Sequence, residues 1–270
     1  MMQQNIRIRL KAFDHRTLDL SRVPRREGNL FHADLRMLWL EGFDLVNDEP
    51  LWLPYETVHV DGASAPPPGA HSFPVTSNGL ASGNHRLEAI AHALAELIER
   101  DATTLFTLRS EEERDALRVD PASVDDPTTA EILEQLAARG AAVGIWEITS
   151  DVGVAAFRVA LVDAEADPFH PRAPGIGFGC HPAREVALLR AITEAAQTRL
   201  TSIAGSREDL TPAHYSQSHE SRASEALRTE IVAGETPRLY GQAPTFESAD
   251  LEADVAFLRA RLEAVGCTEI

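Results

Sequence analysis

Apolar residues recur at helical spacing from His85 to Arg109 and again from Pro182 to about Ala204, the two strongest periodic segments of the chain. Ile90, Leu94, Leu97 and Ile98 mark the predicted core face of the first helix; Leu188, Leu189, Ile192 and Leu200 mark that of the second. Pro127 to Arg139 predicts another helix, with proline at its start, Ile132, Leu133 and Leu136 on one face and Gly140 at its end. Leu251 to Val265 predicts a further one, stopped by Gly266. Leu51-Trp-Leu-Pro-Tyr55 and Thr57-Val-His-Val60 alternate or run apolar, so residues 36–61 read as one or two strands around a turn. Val143 to Thr149 and Val154 to Asp163 predict a hairpin joined by Ser150-Asp-Val-Gly153.

Between these elements lie a polar, Arg-rich lead-in (1–30), expected to be loose, and a proline loop (64–69). Residues 110–126 read as a surface excursion, and Pro171 to His181 is rich in glycine. Residues 211–247 are rich in Ser, Thr, Pro and charge and read as loop or a mobile insert. This order of hairpins and helices predicts an α/β fold of the α+β kind, a mixed sheet with packed helices, in one domain over 31–270.

The polar faces of the two strong helices carry the candidate chemistry. At ~100° per residue, Glu88, His92, Glu96 and Glu99 fall within an arc of about 80°, with Asn84 extending it backwards and Arg100 at its edge. An exposed face usually alternates acids with Lys or Arg at i+4; this one stacks like charges, which repel unless a cation relieves them. Carboxylates without thiolates suit a hard ion such as Mg²⁺. Gly79 and Gly83 permit close backbone approach before the helix, and Asn84 or Ser82 is placed to cap it. Free N–H groups at a helix start favour an anion, although no Walker-type loop is present. A solvated polar stripe on an ordinary capped helix remains the other reading. On the second helix Arg190, Glu194 and Gln197 share an arc of about 60°. Arg199 projects towards the apolar face, where a buried guanidinium needs an acidic or carbonyl partner. His181 reads first as a helix-start turn residue and Cys180 as a small packed residue.

Composition narrows the partners. A formal net charge of −17 argues against nucleic acid and anionic membrane. Lys11 is the lone lysine, so any cation that grips phosphate is expected to be arginine. The two cysteines, Cys180 and Cys267, have no metal-site spacing and fit a reducing cytoplasm. No apolar run approaches the ~18 residues of a membrane span.

Taken together, Ser77-Asn-Gly-Leu-Ala-Ser-Gly-Asn84, Glu88-Ala-Ile-Ala-His-Ala-Leu and Glu96-Leu-Ile-Glu-Arg-Asp101 strongly resemble the central motif of the YcaO family. Gly177-Phe-Gly-Cys-His-Pro, Ala187-Leu-Leu-Arg-Ala-Ile-Thr-Glu-Ala-Ala-Gln-Thr-Arg199 and Ile203-Ala-Gly-Ser-Arg-Glu-Asp209 look like its next signatures, in order. The likeness covers roughly residues 36–265, and Gly205 to Tyr215 looks most like the branch that works with TfuA-type partners. It implies an enzyme that uses ATP and Mg²⁺ to phosphorylate a peptide amide oxygen, giving azolines from Cys, Ser or Thr side chains or thioamides from a sulfide source. It implies that Glu88, Glu96 and Glu99 hold Mg²⁺ as part of the ATP site and that Asn84 and Arg100 contact the nucleotide. It adds Arg190, Glu194, Gln197 and Arg199 to the ATP-binding set, less directly.

The resemblance also implies what stands beside the chain: a precursor peptide or protein substrate, a TfuA-like partner, and a homodimer or a complementary YcaO half. Family members usually carry an upstream Ser-rich turn and a Glu-x-x-Glu-Arg helix with further ligands, and a longer C-terminal tail; neither is found in this sequence. The expectation is therefore a family member shortened at both ends: a fragment, a split gene product, or a degenerate paralogue. A non-catalytic scaffold or peptide-binding partner is the alternative to the enzyme.

Overall fold

The computed structural model describes residues 8–9, 16–29, 31–32, 34–60, 71–165, 173–204 and 222–270. The predicted proline loop (64–69), the signature residues 205–209 and the 211–221 part of the expected insert lie outside the described residues. The chain divides into two compact units, residues 1–82 with 262–270, and residues 83–261.

In the first unit β1 (Ile8–Arg9), β2 (Trp39–Asp44) and β3 (Glu49–Pro54) form an antiparallel sheet in that order. Asp48, at φ 55°, makes the tight turn between β2 and β3. Part of the expected lead-in is tied to this sheet. Ile8–Arg9 pairs with β2, Thr17 bridges Trp52 in parallel, and Leu18 N–H donates to the Trp52 carbonyl at 2.8 Å. Arg16 holds the fully buried Asp44 at 2.7 Å. Thr57–Val60, expected as strand, departs from the sheet through a 3₁₀ turn at Tyr55–Thr57, because Pro54 ends the ladder.

The second unit is built on β4 (Ala141–Glu147), β5 (Ala156–Asp163) and β6 (Gly175–Cys180), antiparallel and in that order. The predicted hairpin is β4–β5, and Gly153, at φ 71°, lets its connection turn back. The glycine-rich stretch contains β6, a strand that apolar periodicity did not reveal. Its glycines alternate for a packing reason. Gly175, Gly177 and Gly179 face α4 (Arg184–Ala204), and a Cβ on any of them would overlap α4 backbone. The facing stripe of α4 is Ala187, Ala191 and Ala195, each fully buried. Glycine against alanine brings helix and strand into backbone contact, and Leu188, Ile192, Phe157, Val159 and Leu161 complete the core around them.

The helix α1 (Arg86–Leu108) lies on the opposite face of this sheet, where the Arg158 guanidinium sits 5.5 Å from the Phe106 ring. Its buried residues are Leu94, Ala95, Ile98, Ala102 and Phe106, whereas Leu97, expected in the core, is 45% exposed. The core face is thus rotated towards the acidic stripe, with small Ala95 and Ala102 buried in it. Likewise Leu200 of α4 is exposed and alanines take its place.

The excursion at 110–126 is better ordered than expected. It holds α2 (Glu111–Asp115), started by a capping box between Ser110 and Glu113, and it contributes Val119 and Val124 to the core. Helix α3 (Pro127–Ala138) follows as predicted, N-capped by Asp126. Within the expected insert, α5 (Arg222–Ala233) is helical and sets Ile231 against Gly144 of β4. The polar composition hid that contact, and with it the bond from Arg228 Nε to the Asp163 carbonyl at 2.9 Å. Helix α6 is Leu251–Ala264. The α+β class therefore holds: the named ladders are antiparallel, and among the described residues parallel pairing is confined to the bridges Thr17↔Trp52 and Val119↔Arg238.

Candidate functional site

Among the described residues strand β6 is the outer strand of its sheet, so the N–H and C=O groups of alternate residues point away from β5. Helix α4 meets this open edge with two side chains one turn apart. The Phe178 N–H donates to the Glu194 carboxylate at 3.0 Å, and Arg190 donates to the Cys180 carbonyl at 3.3 Å. Helix α1, on the other face, brings Glu99 into the same electrostatic neighbourhood.

Glu99 is the most perturbed acid of the group. Its side chain is 13% exposed. Burial, then the negative charge of Glu194, and to a lesser degree that of Glu96, raise its pKa to about 7 against the pull of Arg100 and Arg190. Arg100 stands 3.8 Å from both Glu96 and Glu99, a loose contact with the guanidinium 43% exposed. Glu96, Glu99, Arg100, Arg190 and Glu194, expected from two separate helices, are therefore one electrostatic cluster. A raised acid with further carboxylates and two arginines around it offers a cation and an anion partners in one place.

The remaining predicted residues stand elsewhere. Glu88 turns back on its own helix, accepting the Asn84 N–H at 2.7 Å, and the N-cap is His85, whose Nδ1 accepts the Leu87 N–H, rather than Asn84 or Ser82. This entrance, expected to attract an anion, is already faced by a carboxylate. Gly83 is needed there because a Cβ would stand 2.7 Å from Ala89 N. Gln197 is exposed on α4. Arg199 projects to the buried side, as its helical position predicts, and pairs with Asp163 at the end of β5. It lies nine residues, about 13 Å, along α4 from Arg190.

Burial pushes the Cys180 thiol up, with Glu99 adding to the effect and Arg190 opposing it, so Cys180 is a neutral packed thiol. His181 takes the helix-start role. Its Nδ1 accepts the Ala183 N–H at 3.0 Å, and burial, with Arg190, lowers its pKa. Sequence reasoning missed the open backbone edge of β6, because β6 itself was not recognised; the period-two glycines of Gly175-Ile-Gly-Phe-Gly179 were the available signal.

ATP and Mg²⁺ can be tested against this donor set. Among the described residues no three His, Cys, Asp or Glu side chains converge as a complete metal cage. Mg²⁺ does not require one, since it usually takes one or two protein carboxylates and fills its shell with water and phosphate oxygens. Glu99 with Glu96 or Glu194 meets that need, and Arg100 and Arg190 supply the phosphate partners, so the residues fit.

A family model described as YcaO cyclodehydratase, ATP- and Mg²⁺-binding, matches residues 3–270, more than the 36–265 over which the motifs alone carry the likeness. An uncharacterized protein in the tfuA 3′ region of Rhizobium leguminosarum bv. trifolii is 35% identical over 235 residues, 86% of this chain and 55% of its own length. The chain spans about half the length of the curated relatives it matches. A solved heterocyclase in complex with substrate and cofactor is similar with a TM-score of 0.69 and 23% identity, over 90% of this chain and 31% of that one. YcaO from Methanopyrus kandleri, bound with AMPPCP and Mg²⁺, is similar with a TM-score of 0.64 and 22% identity, over 97% of this chain and 63% of that one. At these identities the solved structures speak for the fold alone; the family model, matched along nearly all of the sequence, shows that this chain belongs to the YcaO family.

Proposed function

We propose that this chain supplies one wall of an ATP–Mg²⁺ site that activates a peptide backbone amide for azoline or thioamide formation. The observation that carries the reading is Glu99, held near pKa 7 by burial and by Glu194, between Arg100 and Arg190. Bound Mg-ATP would supply the phosphoryl group that turns the amide oxygen into a leaving phosphate. In that scheme a nucleophile adds to the carbonyl carbon, the oxygen is phosphorylated, and phosphate departs as the C=N or C=S bond forms. The chain's own residues do the positioning. Glu99, with Glu96 or Glu194, holds the cation; Arg100 and Arg190 orient phosphate oxygens; the packed α4–β6 layer keeps these groups rigid. Phosphoryl transfer depends mostly on such positioning and charge neutralisation, which fits a cluster without a strong base.

Glu88, Asn84 and Gln197 are proposed as supporting residues of this site by family likeness, with Glu88 turning outward from the helix entrance to take part; Arg199, which the same likeness adds, is given instead the structural role of holding Asp163. A precursor peptide as substrate, a TfuA-like partner and a second YcaO half or copy are part of the same proposal. So is a cytoplasmic setting, in keeping with two free cysteines. The second reading is a non-catalytic scaffold or peptide-binding partner that keeps the fold without the phosphoryl chemistry.

The two readings separate in one experiment. The chain, together with the proteins encoded beside it, is given Mg-ATP and a precursor peptide bearing ¹⁸O in its backbone carbonyls. Amide activation delivers ¹⁸O into the released phosphate, and Glu96→Gln and Glu99→Gln remove that label. Phosphate without ¹⁸O, or label unchanged in both variants, sinks the proposal.

A further inference from the structure

The helix-start role of His181 uses only one of its ring nitrogens. Nδ1 accepts the Ala183 N–H, so the ring proton sits on Nε2. Among the described residues Nε2 makes no hydrogen bond, and it is not one of the buried polar atoms left without a partner, so it is open to a ligand. Helix α6 brings a carboxylate towards it. Asp254 shares a face of α6 with Leu258 and Arg261, at i+4 and i+7. Leu258 is fully buried, and Arg261 donates to the Val152 carbonyl at 2.6 Å. Just before the helix, the Phe246 N–H donates to the carbonyl of Pro182, the residue after His181, at 2.9 Å. Asp254 is thereby carried in to 9% exposure, and its carboxylate makes no hydrogen bond or ion pair among the described residues. Burial, then Arg190, lowers the His181 pKa, and burial raises that of Asp254; beyond this each feels the charge of the other. A purely structural His–Asp pair would close to a hydrogen bond. Here the N–H and the carboxylate face a common space and stay apart, with Arg190 beside them.

The chemistry of the three groups selects the occupant. A metal ion would take Asp254 but meet a ring N–H rather than a lone pair, with a guanidinium at its side. A phosphate would take His181 and Arg190 but meet the Asp254 charge. A neutral group with an acceptor and a donor side by side satisfies all three, and a peptide amide is such a group. Adenine offers the same pattern, but Arg190 is placed on phosphate oxygens, and the group that must lie next to the transferred phosphate is the amide, not the base. We propose that His181 and Asp254 hold the substrate amide, its carbonyl oxygen accepting from His181 Nε2–H and its N–H donating to Asp254. This turns the carbonyl oxygen towards Arg190. The choice of ligand rests on the function proposed above, but the test reads peptide binding, and nucleotide affinity is measured apart from it.

The full chain, ¹⁵N-labelled in its histidines, is titrated with an end-blocked Ala-Gly-Ser-Gly-Ala peptide and with the same peptide N-methylated at serine. The first peptide is expected to shift the His181 Nε2 resonance with saturation, and the methylated one to bind about fivefold more weakly or worse. Asp254→Asn should weaken the first peptide by about fivefold or more. His181→Asn should do the same, although its side-chain oxygen still caps the Ala183 N–H and so keeps the helix start. Glu252→Gln makes the same charge change on the exposed side of α6 and should leave binding within about twofold. Affinity for a non-hydrolysable Mg-ATP analogue should stay within about twofold in His181→Asn and Asp254→Asn, whatever its value in the parent. No saturable shift, equal binding of the two peptides, or peptide binding unchanged in both variants would overturn the proposal. So would a loss of nucleotide affinity with peptide binding intact, which would give the pair to the nucleotide base.

Discussion

Asp44 and Glu99 are both carboxylates taken out of water, and they titrate in opposite directions. Burial works against the charge of Asp44, but hydrogen bonds from Asn47, Arg16 and the N–H groups of Val46 and Ile270 outweigh it and hold its pKa at about 2. Glu99 has no such set of donors, and Glu194 adds a second negative charge, so its pKa rises to about 7. Asp44 is built for the fold; Glu99 is kept at the expense of the fold. The sign follows from proton binding. Between the ordinary glutamate range and pH 7 the folded chain keeps a proton that the unfolded chain has released, so Glu99 increasingly opposes folding as pH rises through that window. Glu99→Gln should therefore unfold at higher denaturant than the parent at pH 8, by about 1–3 kcal/mol, and with little difference at pH 4. Arg199 makes the converse case. Arg199→Gln leaves Asp163 without its cation and should cost about 1–3 kcal/mol of stability, while Mg-nucleotide affinity stays within about twofold. A large loss of affinity at preserved stability would return Arg199 to the nucleotide site.

At the scale of elements, the α4–β6 contact sets the geometry. Glu194 and Arg190 reach the β6 edge because the strand glycines carry no Cβ and the helix alanines carry nothing beyond theirs, so little holds the two apart. Gly177→Ala places a methyl on the backbone of Ala191 and Ala195, which cannot yield as a side chain can. It should destabilise by about 1–3 kcal/mol or more in urea unfolding, whereas Gly241→Ala, with open space around it, should cost far less. This contact also explains what was legible in the sequence. The helices around Glu99 and Glu194 announced themselves because large apolar residues mark a 3.6-residue period. Strand β6 did not, because its inward residues are glycines and carry no hydrophobic signal. The rotation of α1 that buries Glu99 was hidden for the same reason, since Ala95 and Ala102 weigh less in the pattern than Leu97 yet are the ones buried. The paired roles of Glu99 and Glu194, 95 positions apart in the sequence, follow only once their two helices are folded onto one strand. Arg199, by contrast, was readable from helical angle alone as a cation in need of a buried acid.

At the scale of the molecule, the family assignment rests on nearly the whole sequence, while the chain spans about half the length of its curated relatives. The net charge of −17 repels free ATP, so local arginines and a divalent cation must carry its binding. Proton release from Glu99 should then be linked to capture of the cation. The most direct test of the site is the affinity of the chain for a non-hydrolysable Mg-ATP analogue, measured from pH 6 to pH 8 in the parent and in Glu99→Gln. Binding in the parent should tighten about tenfold across that range as Glu99 loses its proton near pH 7. Glu99→Gln should bind at least about tenfold more weakly at pH 8 and lose that dependence. Affinity that is flat with pH in the parent, or unchanged in Glu99→Gln, would contradict the assignment of this cluster as the metal-binding wall of the site.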